Sequence, residues 1–168
     1  METPSHAFPP VIGENPRLLL LGSMPGQKSL QDQQYYAHPR NQFWPIMGEI
    51  FGAGPDIPYA QRLEILKRHH IALWDVIAHC IRPGSLDSSI KDAVTNNFCH
   101  LFQDYPSIRY VFFNSGTAEK IYNQTVLPKL ADNSITYLRL PSPSPAYAGM
   151  RFEEKLRQWR RAFDQAGI

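Results

Sequence analysis

Three segments of this chain combine the residue types of ligand-binding loops. The first motif, Gly22-Ser23-Met24-Pro25-Gly26, follows four leucines, and its glycines and proline allow a rigid turn that a ligand can approach closely. The aromatic segment, residues 34–44, carries tyrosine, histidine, asparagine and tryptophan. The proline loop, residues 140–147, alternates proline and serine. Polar loops beyond strand ends are where open α/β sheets bind ligands, although an ordinary strand-to-loop transition explains the first motif alone equally well.

Hydrophobic patterning predicts the elements that position these segments. Runs typical of buried strands occur at Leu18–Leu21, Ile71–Trp74, Tyr110–Phe113 and Ile135–Leu140. Helices are predicted over residues 41–51, 59–69, 88–105, 115–126 and 151–166. Strands that alternate with helices indicate βαβ units, so we predict one α/β domain over residues 1–168, with its core at about 16–166. A central, mainly parallel four-stranded sheet would be the middle of three α/β/α layers.

Parallel strands bring the loops after their carboxyl ends to one edge of the sheet. The first motif and the aromatic segment, the residues from Asp75 onward, and the proline loop each follow a predicted strand. We therefore expect them to surround one site.

Composition places the chain among ordinary globular proteins, with 168 residues, 43% of them hydrophobic, and a formal net charge of +2. No apolar run is long enough to span a membrane, and residues 1–10 do not resemble a secretory signal. We therefore expect a cytoplasmic location, nucleoid-associated as in bacteria, with no membrane contact. Cys80 and Cys99 have neither disulfide nor metal-ligand spacing, so we expect no metal and no cofactor.

Basic residues crowd the last predicted helix, at Arg151, Lys155, Arg157, Arg160 and Arg161. A solvated helix face explains them, and so does a stripe that binds phosphates. The small net charge is compatible with a nucleic-acid partner without demonstrating one.

The motifs and their order resemble the uracil-DNA glycosylase superfamily over roughly residues 16–160. Its members carry a first motif of the form G-x-x-P-G and a closing motif similar to Leu140-Pro141-Ser142-Pro143-Ser144. Residues 37–44, Ala-His-Pro-Arg-Asn-Gln-Phe-Trp, match a segment of the mismatch-specific uracil/thymine-DNA glycosylases. The Gly-Ser-Met-Pro-Gly form, together with residues 34–41, looks most like the hypoxanthine-DNA (deoxyinosine) glycosylase branch.

The resemblance implies how a base would be bound. A glycosylase takes its base out of the duplex and holds it by ring stacking and edge hydrogen bonds. Tyr36 matches the family aromatic that stacks on the base, unless it merely packs on the sheet edge. The backbone of the first motif would bind a base carbonyl, with contacts from Gly22, Ser23, Met24 and Gly26.

Asp75 stands where several branches have an asparagine that reads the base edge. An ionised carboxylate accepts a ring N–H, which hypoxanthine has at N1 and uracil at N3, and it repels the N1 lone pair of adenine. A cap of the following segment or an ion pair with Arg82 is the alternative role. Asn114 would face the same pocket or cap the next helix.

Met24 departs from the family pattern, because many members have an aspartate that activates water or an asparagine that positions it there. Methionine can do neither, so we assign catalysis first to Asn41, which would position water or support positive charge on the sugar. His38 is the second candidate, as a donor to a purine nitrogen, with a loop hydrogen bond as its alternative role. No lysine lies in the motifs, so we expect a monofunctional enzyme that leaves an abasic site.

The family's counterpart of the proline loop contacts the minor groove and fills the space of the flipped nucleotide. The resemblance therefore implies DNA contacts by Ser142, Pro143, Ser144, Pro145, Ala146 and Tyr147. The two serines would bind phosphates, and one of the last three residues would be the wedge. Further candidates for phosphate contacts are Arg40, Lys28 and Arg151.

These residues predict a DNA repair glycosylase that removes deaminated bases, hypoxanthine first and uracil as a second substrate. Its expected partner is double-stranded DNA with a deaminated base, bound by a monomer. The alternatives are a mismatch-specific uracil-DNA glycosylase and a non-catalytic module that binds damaged DNA, which Met24 favours. A nucleotide hydrolase is disfavoured, because the chain has no phosphate-binding Gly-Lys-Ser/Thr loop and no acidic metal cluster.

Overall fold

The structure is a computed structural model that describes residues 3–131 and 134–168. Its strands are β1 (Ser5–His6), β2 (Leu18–Gly22), β3 (Ile71–Asp75), β4 (Ile77–Ile81), β5 (Lys91–Thr95), β6 (Tyr110–Phe113) and β7 (Thr136–Arg139). Its α-helices are α1 (Gln27–Asp32), α2 (Phe43–Phe51), α3 (Tyr59–Arg68), α4 (Phe98–Asp104), α5 (Gly116–Ile121) and α6 (Phe152–Gln165). None of these helices is long and apolar enough to cross a membrane.

The central sheet has four parallel strands in the order β3-β2-β6-β7. The four leucines of β2 are fully buried, because helices cover both faces of the sheet. Leu18 and Leu20 pack in one core cluster with residues of α2 and α6. Leu19 and Leu21 pack on the opposite face with residues of α4 and α5. The predicted α/β fold with a parallel four-stranded sheet between helices is confirmed.

Most predicted elements are present, with shifted ends. Strand β7 begins one residue later than predicted, and the helix predicted over 115–126 is α5 followed by a π-helical turn at Tyr122–Val126. Helix α1, directly after the first motif, was not predicted. Its residues have no continuous apolar face, and only Ser29 among them is buried.

The prediction of a single helix over residues 88–105 is wrong. The chain there forms a 3₁₀ turn at Asp87–Ser89, then β5, and only then α4. The helical spacing of Ile90 and Val94 with Phe98 is therefore a coincidence. Asp92 has a φ of 51°, which no α-helix contains, and the side chain of Asn97 accepts a hydrogen bond from the His100 N–H as the true helix start.

A second sheet, which was not predicted, pairs β1, β4 and β5 antiparallel. Strand β4 begins two residues after β3 ends, and the chain between them is hydrogen-bonded to the first motif. Val76 N–H donates to Gly22 O at 2.8 Å, and Ile77 N–H donates to Ser23 O at 3.1 Å. The small sheet thus supports the first motif from the side of β3.

Candidate active site

A cavity of about 320 Å³ lies at the carboxyl edge of the central sheet. The first motif, the aromatic segment and the proline loop all contribute to its lining, together with the ends of β3 and β6. The lining residues include Gly22–Ser29, Tyr35, Tyr36, His38, Asn41, Asp75, Ser85–Asp87, Asn114, Ser115 and Ser142–Tyr147. The structure therefore brings the segments singled out in the sequence to one site.

The floor of the cavity is built by the ends of three adjacent strands. Gly22 on β2 lies beside Asp75 on β3, and Asn114 directly follows β6 on the other side. A Cβ atom at Gly22 would lie 2.7 Å from Asp75 Oδ1 and 3.2 Å from Asn114 Nδ2. Only glycine at this position leaves room for the two polar side chains to reach the same space.

The Asp75 carboxyl is 4% exposed, and its Oδ2 has no hydrogen-bond partner among the described residues. Burial raises the pKa of Asp75 to about 7, against the favourable charge of Arg82 and with a smaller contribution from Asp87. The alternative ion pair with Arg82 is not formed in the described part of the chain. The Arg82 guanidinium instead donates to the carbonyl oxygens of Gly84 and Pro25. A buried, unpartnered carboxyl calls for a ligand that satisfies it.

The raised pKa of Asp75 predicts how the stability of the protein changes with pH. Ionising Asp75 costs more in the folded chain than in the unfolded one, so its contribution lowers stability as the pH rises from about 4 to about 7. Asp75→Asn never carries this charge. The melting temperature of the variant should therefore exceed that of the wild type by more at a pH of about 8 than at a pH of about 5. Thermal unfolding of both proteins, with the exposed Asp32→Asn as control, measures this difference, and an equal gain at both pH values would contradict it.

Tyr36 adopts a left-handed backbone conformation, with φ of 56°. Its ring stacks on Phe43, with centroids 3.8 Å apart and planes inclined by 24°. Asn114 Nδ2 donates to the Tyr36 hydroxyl at 2.7 Å, and burial raises the pKa of that hydroxyl well above its ordinary value. The alternative role of Asn114 as a helix cap is wrong, because Ser115 Oγ caps α5 by accepting from Ala118 N–H.

Asn41 and His38 line the cavity from the aromatic segment, before α2. Asn41 Oδ1 accepts from Phe43 N–H at 2.9 Å, which leaves Nδ2 as the donor of this amide. His38 Nδ1 accepts from Arg40 N–H at 3.1 Å, so the neutral imidazole carries its hydrogen on Nε2. The loop hydrogen bond foreseen for His38 is thus present, and both side chains retain a hydrogen-bond donor.

The first motif is held in place by apolar packing at Met24 and by a hydrogen bond at Gly26. Met24 is buried in a small apolar cluster with Ile77 and Cys80. Gly26 O accepts the first hydrogen bond of α1, from Leu30 N–H. The methionine that departs from the family pattern therefore holds the motif in place by packing.

Sequence reasoning missed the wall formed by residues 85–87. Ser85 Oγ accepts from Gln27 N–H at 2.8 Å, and Ser23 Oγ donates to Asp87 Oδ1 at 2.7 Å. Asp87 is thus a second carboxylate on the lining, and Leu86 is 60% exposed at the rim. These residues directly precede the helix that was wrongly predicted over 88–105, and no spacing in the sequence links them to the first motif.

The proline loop is braced by its own serines. Ser142 Oγ accepts from Ser144 N–H, and Ser144 Oγ accepts from Ala146 N–H, each at 3.2 Å. Pro143 is buried, whereas Ala146 is exposed and Tyr147 is 43% exposed. The loop therefore presents its final residues to solvent on a preorganised backbone.

The basic residues take different positions. Lys28 lines the cavity and forms an ion pair with Asp32, with a Nζ–Oδ1 distance of 3.3 Å. Arg40 and Arg151 are exposed, and neither belongs to the described lining. Lys155 is buried, so a solvated helix face does not explain it. In residues 3–131 and 134–168, no three His, Cys, Asp or Glu side chains are grouped to hold a metal ion.

Comparison with known proteins adds independent findings. The family model of the uracil DNA glycosylase superfamily matches residues 9–165. A hypoxanthine DNA glycosylase of Methanosarcina barkeri is 47% identical over 120 residues, which are 69% of this chain and 76% of that protein. A hypoxanthine DNA glycosylase of Methanosarcina acetivorans is 41% identical over 114 residues, which are 67% of this chain and 72% of that protein.

A solution structure from Methanosarcina acetivorans, of a protein proposed to be a uracil DNA glycosylase, has the same fold. It superposes with a TM-score of 0.82 at 32% identity and covers 99% of this chain and 100% of that one. The α/β fold, the cavity at the carboxyl edge of the sheet and these relatives define a DNA repair glycosylase, a hydrolase that acts on DNA. The chain belongs to the uracil DNA glycosylase superfamily.

Proposed function

We propose that this enzyme removes hypoxanthine from deoxyinosine in double-stranded DNA and leaves an abasic site. The observation that carries the proposal is the buried Asp75 carboxyl at the floor of the cavity, whose Oδ2 has no hydrogen-bond partner among the described residues. Two relatives that are named hypoxanthine DNA glycosylases support the same substrate.

Asp75 is suited to distinguish a deaminated base from adenine. In its ionised form it accepts the N1–H of hypoxanthine, and it repels the N1 lone pair of adenine. Binding of an N–H donor favours the ionised form of a carboxyl whose pKa is about 7. Tyr36, already stacked on Phe43, extends this aromatic pair to the base, and the first motif provides backbone donors for the carbonyl.

Catalysis would proceed by stabilising the departing base. Water attacks C1′ of the sugar, the electrons of the C–N bond move to the base, and the base takes up, through solvent, the proton that the attacking water loses. The donors at Asn41 Nδ2 and His38 Nε2 are suited to stabilise the negative charge on the base. Met24 cannot act as a base, so this stabilisation carries the acceleration without activation of water at that position.

DNA would be held at the rim of the cavity by a monomer. Tyr147 on the proline loop and Leu86 on the wall of residues 85–87 are exposed apolar side chains that can fill the space of the flipped nucleotide. Arg40 and Arg151 are exposed, so both are available to contact phosphates.

Single-turnover cleavage of labelled duplexes tests the proposal. Each duplex carries one hypoxanthine, one uracil or one mismatched thymine, and alkali converts abasic sites into strand breaks. We expect breaks at hypoxanthine that appear only after alkali. Faster release of uracil or thymine would identify a uracil or mismatch enzyme instead, and tight binding without any abasic site would identify a non-catalytic module.

A further inference from the structure

Lys155 on α6 is a cation inside the protein, with 2% of its surface exposed. Among the described residues, no carboxylate forms an ion pair with it, and burial lowers its pKa below the ordinary value. A buried ammonium is costly unless its hydrogens are satisfied. The energetic cost of this arrangement indicates a role beyond filling space.

The partners of Lys155 belong to two of the segments that line the cavity. Its Nζ donates to Gln42 Oε1 at 2.9 Å and to Tyr147 O at 2.7 Å, and lies 5.1 Å from the centre of the Tyr147 ring. Gln42 directly follows Asn41 in the aromatic segment, and Tyr147 ends the proline loop. One side chain therefore connects the aromatic segment, which carries the residues proposed to act on the base, to the proline loop, which is proposed to contact DNA.

Two further hydrogen bonds complete this junction. Gln42 N–H donates to Pro143 O at 2.9 Å, and Trp159 Nε1 of α6 donates to Pro141 O at 2.9 Å. Helix α6 thus holds the start of the proline loop through Trp159 and its end through Lys155. Between these points the loop is braced by its own serines and by the Gln42–Pro143 hydrogen bond, so Lys155 is the contact from α6 that holds its end.

We propose that Lys155 is a positioning residue that locks the proline loop onto the aromatic segment, so that opening of the duplex is coupled to placement of the base beside Asn41. The inference rests on the proposed function. A preorganised loop loses little conformational freedom when it enters the duplex, whereas a loosened loop would lose more. Single-stranded DNA has no base pair to open, so it makes a smaller demand on the loop.

The test compares one deoxyinosine strand as a duplex and as a single strand, under single-turnover conditions. We expect Lys155→Met to lower the duplex rate by about 10-fold or more and the single-strand rate by less than about threefold, as for a misplaced positioning group. The fluorescence rise of a 2-aminopurine beside the lesion should fall in parallel. Lys155→Arg, which keeps the charge and donors, should recover part of the duplex rate.

Arg157→Met is the matched control, because Arg157 lies on the same helix, is exposed, and pairs only with Glu154 in the described contacts. Equal losses on both substrates, or no loss on either, would overturn the proposal. If circular dichroism shows that Lys155→Met does not fold, Gln42→Met takes its place, because it removes the side-chain oxygen that accepts from Lys155. The same difference between the duplex rate and the single-strand rate is expected. A wild-type enzyme that is inactive on both substrates would refute the proposed function instead. If the wild type is active and the variants keep its ratio of duplex rate to single-strand rate, only the role of Lys155 is refuted.

Discussion

Replacing Asn41 by alanine is expected to slow hypoxanthine excision by about 10²–10³-fold, as for loss of one preorganised donor to the charge that develops in a transition state. Asn41 Oδ1 already accepts from Phe43 N–H, so Nδ2 is the atom of this amide that remains for the departing base. The loss should lie in the single-turnover rate at saturating enzyme. Affinity for the duplex, measured by anisotropy, should change little.

Asn41→Asp separates the two roles that an amide can have here. It keeps the oxygen that accepts from Phe43 N–H, and with it the start of α2, but removes the donor. If Nδ2 stabilises the base, this variant should be as slow as the alanine variant. A variant that keeps most of the activity would mean that the oxygen orients water instead. Asn123→Ala, at an exposed asparagine outside the cavity lining, controls for the substitution itself.

Gly22→Ala is expected to lower excision by at least about 10²-fold, because small displacements of the groups that hold a substrate have effects of this size. The new Cβ would lie 2.7 Å from Asp75 Oδ1, so the carboxyl must rotate away. It would also occupy the space between Asp75 and Asn114 that the base edge would enter. Because a carboxyl end can move, we expect the chain to remain folded while recognition is lost.

Gly116→Ala is a suitable control for Gly22→Ala, since its Cβ would meet only the exposed guanidinium of Arg139. Circular dichroism and excision rates on hypoxanthine and uracil duplexes should be measured for both variants. A folded Gly22→Ala protein with wild-type rates would show that the base does not enter between Asp75 and Asn114.

The central sheet could be predicted because its signal is local. Each residue of Leu18–Leu21 is buried, and four consecutive aliphatic residues indicate a strand covered on both faces whatever the rest of the chain does. The second sheet had no such signal. Strand β5 is largely exposed, and its Val94 happens to match a helical spacing with Ile90 and Phe98 outside the strand, so only pairing with β4 reveals it as a strand.

The residues of the candidate site also fall into two groups, those that the sequence predicts and those that only the structure shows. Gly22, Asp75 and Asn114 were found from sequence because each stands at the carboxyl end of a recognisable strand, and parallel strands bring such ends together. Asp87 was missed because nothing near it in the sequence shows that its carboxylate accepts from Ser23, which is distant in the chain. Lys155 was grouped with the other basic residues of the last helix, as part of a solvated face or of a phosphate-binding stripe, because no local pattern shows that it is buried.

The sequence by itself thus determined the fold class, the edge of the sheet that carries the site, and the family, since these depend on short runs of residues and on their order. Only the tertiary structure decided which charges are buried and what they contact. The raised pKa of Asp75 and the junction made by Lys155 both arise from desolvation and from partners on other segments. Such effects depend on where the chain folds back on itself, which no local pattern encodes.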